Sequence, residues 1–83
     1  LSKKYEIRRA TARYFSVELF ELPLGSIARA RSDLQGLEGV KKVFGSKASP
    51  RKFIVDMSEG ASSTKAAVAK LKAEMERVLD KHC

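Results

Sequence analysis

Hydrophobic and polar positions change period twice between Tyr14 and Met57. From Tyr14 to Phe20 they alternate, as in a half-buried strand. Phe15, Val17 and Leu19 share one side and form the more apolar set, so they are assigned to the core. Tyr14, Ser16, Glu18 and Phe20 take the other side. Pro23 cannot continue a ladder and Gly25 lets the chain turn. Ser26 is a candidate N-cap for a helix starting at Ile27. That helix turns Ile27, Ala30, Leu34 and Leu37 inward and Arg29, Arg31 and Asp33 toward water. Gly36 and Gly39 stop it. Val40 to Phe44 reads as a second strand and Phe53 to Met57 as a third, joined by the turn-formers Gly45 to Pro50. Phe53, Val55 and Met57 are the core set, and Lys52, Ile54 and Asp56 the outer one. Ser58 to Ser63 is expected as a loop, with Ser62 or Ser63 capping a last helix. Its stripe is Ala67, Val68, Leu71, Met75 and Val78, with Leu79 at the margin. Lys70–Glu74 and Lys72–Glu76 are i,i+4 pairs on its outer side. The stripe runs for fewer than three heptads, so it packs on the sheet rather than in a coiled coil.

The order strand, helix, strand, strand, helix, with helices on one side, predicts an α+β fold. It is a ferredoxin-like β-α-β-β-α sandwich spanning residues 14–81, with two helices on one face of an antiparallel sheet. A right-handed crossover sets the first of these strands beside the third, with the second outside. The plan's fourth strand is missing after the last helix, which leaves the first strand's edge unpaired. Residues 1–13 are either a basic arm or an edge strand, and Tyr5–Arg8 could fold back into the empty slot. A second copy or a neighbouring segment could also fill it.

Eighty-three residues, 43% of them hydrophobic, make one small domain. A domain of this size buries only about 60–65% of its unfolded surface. No apolar run spans a bilayer, so membrane insertion is not expected. The basic, then strand-like, start lacks a secretory-signal pattern. The single cysteine, Cys83, excludes an internal disulfide framework and fits a reducing, cytoplasmic compartment. His82 and Cys83 are two ligands, too few for a zinc site, and read as an inert tail. The net charge of +7 is concentrated. Residues 1–14 hold a local +4 in Lys3, Lys4, Arg8, Arg9 and Arg13 against Glu6. Residues 41–52 hold +5 in Lys41, Lys42, Lys47, Arg51 and Lys52, and the remainder carries −2.

The run Leu34-Gln35-Gly36-Leu37-Glu38-Gly39-Val40-Lys41-Lys42-Val43 resembles the helix-to-strand passage of heavy-metal-associated domains. Phe53-Ile54-Val55-Asp56 resembles their third strand, and Ser62 onward their second helix. The likeness covers residues 14–80. ACT-type regulatory domains and ring-forming domains of secretion systems share the layout. The resemblance implies a Cys-x-x-Cys metal pair before the first helix. That loop here is Phe20-Glu21-Leu22-Pro23-Leu24-Gly25-Ser26, without cysteine, histidine or methionine. Soft metals need thiolates, so no metal ligand carries over and no cofactor is expected.

Two function classes lead, with a small-ligand regulatory site at the loop between the first strand and first helix as a third. The outer sheet face would gather Tyr14, Phe20, Phe44 and Ile54, an apolar surface that needs cover. It reads as an interaction face for a second copy or another protein. Alternatively, Lys42, Lys47, Arg51, Lys52, Arg8 and Arg9 could hold nucleic acid or another anionic surface. The aromatic signatures of RNA recognition motifs are absent. An enzyme is not expected: no serine has a histidine base, and Glu18 and Glu21 lie on opposite sides of one strand.

Overall fold

A computed structural model describes residues 4–82. Four strands and three helices follow in the order β1 (Tyr5–Arg9), β2 (Tyr14–Leu19), α1 (Leu24–Gln35), β3 (Val40–Gly45), β4 (Lys52–Met57), α2 (Glu59–Ser62) and α3 (Lys65–His82). The strands form one antiparallel sheet in the order β1-β2-β4-β3. β1 lies in the slot beside β2, so of the three ways to cover that edge the chain uses its own N-terminal segment. Docking through a bare β2 edge is thereby corrected. The terminal Lys3 and Cys83 lie outside the described residues.

Alternation in the two central strands sets the layers. Across β2 and β4, Phe15 faces Val55 and Val17 faces Phe53. These side chains are fully buried, in one core with Leu19, Met57, Ile27, Ala30 and Leu34 of α1, and Leu71, Met75, Val78 and Leu79 of α3. Each such burial contributes roughly 1.5–3 kcal/mol. Tyr5 and Ile7 extend the same face onto β1 and pack against that core. The alternate positions carry no helix and, apart from the buried Asp56, stay at least partly accessible.

Several expected boundaries move. Helix α1 starts at Leu24, its N-cap is Pro23, and no side chain caps it, so Ser26 lies inside its first turn. Pro fits near a helix start because its missing N–H needs no partner there. Leu37 falls beyond the helix but still packs on the core. The expected loop after β4 contains the single turn α2, capped by the Ser58 side chain. The last helix is capped by Thr64, whose Oγ1 accepts from the Ala67 N–H at 3.0 Å. Ser62 and Ser63 instead donate back to the carbonyls of Ser58 and Gly60.

Side chains fasten the outer elements. The Tyr5 hydroxyl donates to Asp80 Oδ1 at 2.6 Å, tying β1 to α3. His82 Nε2 lies 2.7 Å from Asp33 Oδ2, tying α3 to α1, so His82 is a clamp rather than an inert tail. At the outer edge of β3, the Gln35 amide acts as a stand-in strand. Its Oε1 accepts from the Val43 N–H at 2.9 Å, and its Nε2 donates to the Lys41 carbonyl at 3.2 Å. These groups would otherwise invite a foreign strand.

Two substitutions check this frame. Gly39 adopts φ +97°, and an added Cβ would sit 3.0 Å from the Ala61 Cβ. Gly39→Ala is expected to cost about 1–3 kcal/mol in urea unfolding. Gln35→Ala removes two hydrogen bonds, costs about 1–2 kcal/mol, and accelerates hydrogen exchange at the Val43 amide.

Candidate interaction surface

The helix-free face is a grid whose rows follow from the registers. One row runs Arg8, Ser16, Ile54, Phe44 across β1, β2, β4 and β3. A second runs Glu6, Glu18, Lys52, and a third Tyr14, Asp56, Lys42. Phe20 follows β2, with its N–H bonded to the Lys4 carbonyl. The four residues expected on this face therefore share it. Phe44 and Phe20 are the more open, 39% and 42% exposed, while Tyr14 and Ile54 are half-buried. Ile54 and Phe44 are direct cross-strand neighbours.

Charges of both signs are interspersed on the face. Glu6 opposes Glu18, a like-charge pairing that costs stability unless relieved. Arg8 forms an ion pair with Glu6, and Lys52 Nζ stands 3.9 Å from Glu18. Arg13 reaches the buried Asp56 carboxylate at 3.4 Å. The Lys42 ammonium sits 4.8 Å from the Phe44 ring centroid, within cation–π range. Hence the acids Glu6, Glu18 and Asp56, whose side chains reach this face, lie among its bases. Composition alone concealed that pairing, because the segment sums count only nearby residues in sequence.

The expected basic set does not converge. Arg8, Lys42 and Lys52 lie on the open face, and Lys47 projects from the β3–β4 loop. Arg9 belongs to the opposite side of β1 and bonds the carbonyls of Thr11 and Ala12 in the β1–β2 turn. Arg51 is a clamp. Its Nη1 donates to the Leu22 carbonyl at 2.6 Å and the Leu19 carbonyl at 3.3 Å. Those bonds fix the loop before α1, with Leu22 buried beneath. In the resemblance, this is the loop that would carry the two metal cysteines.

A separate hollow lies where the α1–β3 turn meets α2 and α3. It measures about 540 Å³ and is lined by Leu37, Gly39, Ala61, Leu71, Lys70 and Glu74, among others. Arg77 hydrogen-bonds Glu74 and holds its carboxyl below the usual range, with Lys70 adding to the effect. This exposed pair is present above the unfolded carboxylate's pKa and fades as pH falls through the lowered one. Among the described residues, no buried side-chain polar atom lacks a partner, and no three His, Cys, Asp or Glu side chains gather as a metal cluster. No helix among them is long and apolar enough to cross a membrane. The hollow thus offers shape without convergent recognition groups, and the open sheet face is the better-defined surface. Compared with protein-family models, curated proteins and solved structures, the chain matches none.

The clamp has a measurable signature. Arg51→Ala is expected to lower stability by about 2 kcal/mol, since each hydrogen bond from a charged donor contributes substantially. Lys47→Ala, on an exposed loop, should leave the urea midpoint nearly unchanged.

Proposed function

We propose that the chain is a non-catalytic protein-interaction domain of ferredoxin-like fold, a relative of heavy-metal-associated domains without their metal site. It docks through the helix-free face of its sheet. The observation that carries this reading is the contiguity of Phe44 and Ile54 on adjacent strands, with Tyr14 and Phe20 on the same face and, among the described residues, no element packed over them. Apolar and aromatic side chains set among charged ones are common in protein interfaces.

The mixture of signs supports a protein partner over a nucleic acid. A phosphate backbone is held by a groove of one sign. Here Arg8, Lys52 and Arg13 each have an acid beside them. A protein surface can meet such a pattern with its own opposite charges, which fixes orientation more than affinity. The clamped loop before α1 supports the loss of the metal role, because Leu22 and Arg51 use that space to brace the core.

Placing a photo-crosslinking residue at position 44 should yield discrete protein adducts. The same residue at position 72, on the exposed side of α3, should yield none. Ile54→Lys introduced beside the position-44 probe should abolish the adducts while leaving the unfolding midpoint within about 0.5 kcal/mol. Equal labelling from both positions, or adducts indifferent to Ile54→Lys, would remove the open face from the reading.

A further inference from the structure

The charge grid of the open face is complementary to itself. We infer that this face binds a second copy of the chain, with the two sheets stacked face to face and their strands aligned about a two-fold axis running along the strands between β2 and β4. The inference rests on the docking reading above and names its occupant.

Rotation about that axis keeps each row and reverses the strand order. β2 of one copy then faces β4 of the other, and β1 faces β3. Glu18 lies over Lys52 of the second copy, and by symmetry Lys52 over Glu18. Arg8 lies over Phe44 of the second copy, placing a guanidinium on an aromatic face. Tyr14 lies over Asp56. Ser16, the small residue of its row, lies over Ile54. A cleft of about 210 Å³ surrounds Ser16, lined by Glu6, Arg8, Glu18, Phe20 and Lys52, and the opposing Ile54 would enter it. No like charges meet. Because the contact is isologous, each favourable pairing occurs twice.

Other arrangements fare worse. An axis across the strands along the Arg8–Ser16–Ile54–Phe44 row sets Arg8 against Arg8. Pairing edge to edge at β3 is obstructed by the Gln35 amide on Val43 and Lys41. Aligned stacking is also the ordinary geometry for twisted sheets, with strands about 30° apart. At about 4.8 Å between strands and 3.4 Å per residue, the four-stranded face covers on the order of 400 Å² in projection. That is small for a specific interface, so the dimer is expected to be weak and concentration-dependent.

Two charge reversals test the arrangement. In a Glu18→Lys dimer, the introduced ammonium would oppose Lys52 twice. In a Lys52→Glu dimer, the introduced carboxylate would oppose Glu18 twice. Each variant alone should self-associate at least about ten-fold more weakly than the unaltered chain in sedimentation equilibrium. Mixed in equal amounts, they should form a one-to-one heterodimer of near-original affinity, since the Glu18→Lys chain then presents ammonium groups at both positions to the two carboxylates of the Lys52→Glu chain. An effect confined to the pair within one chain would give no such rescue. Both side chains are solvent-accessible, and unchanged far-ultraviolet dichroism confirms that each variant folds. A mixture no tighter than the separate variants overturns the inference. So does an unaltered chain that stays monomeric up to about 1 mM, where weak dimers are populated. In that case adducts from position 44 would still uphold docking to a different protein, and their absence would end both readings.

Discussion

The register between β2 and β4 is the constraint on which the molecule depends. It sets Phe15 beside Val55 and Val17 beside Phe53 on the side the helices cover. A slip of one residue would send these apolar groups to water and bring Ser16, Glu18, Lys52 and Ile54 under the helices. Burying that set would strand polar groups without partners, at roughly 1–3 kcal/mol each. The same register builds the outer grid, so core and open face are two consequences of one alignment.

Much of this was legible along the chain, and the reasons differ by element. Alternation in Tyr14 to Leu19 and in Lys52 to Met57 separated core from open face, because strand geometry repeats every two residues whatever packs above. Helices α1 and α3 were legible from their apolar spacing, but their starts were not, and the single turn α2 was expected as loop. Pro23 and Thr64 begin α1 and α3 through backbone geometry and a hydroxyl bond. Ser26, Ser62 and Ser63 have equally suitable chemistry in sequence, and only position in the fold separates them. The segment Tyr5–Arg8 stayed ambiguous between arm and strand because its few apolar residues signify only once β2 offers an edge.

Charged residues were the hardest to read, for a related reason. Arg51 sits in a basic run and looks like a surface cation, yet it holds the Leu19 and Leu22 carbonyls across a gap of many residues. Arg9 likewise serves the adjoining turn. Glu6 and Glu18 belong to different segments and meet only through strand pairing. Summing charge along the chain therefore overstated the basic character of the sheet face. His82, the only histidine, is placed by helix length: the α3 span brings it to Asp33 on α1.

The origin of β1 bears on how quickly the molecule can assemble. In the β-α-β-β-α plan, an outer strand drawn from beyond the last helix must close a loop of nearly the whole chain. Here that strand comes from just before β2, so Arg9 meets Phe15 across a short turn and the first hairpin can close locally. Closing a short loop sacrifices less chain entropy than closing a long one. Local pairing lowers the mean sequence separation of contacts, which speeds folding. The arrangement also makes the hairpin available early to a growing chain, well before α3 emerges to cover it.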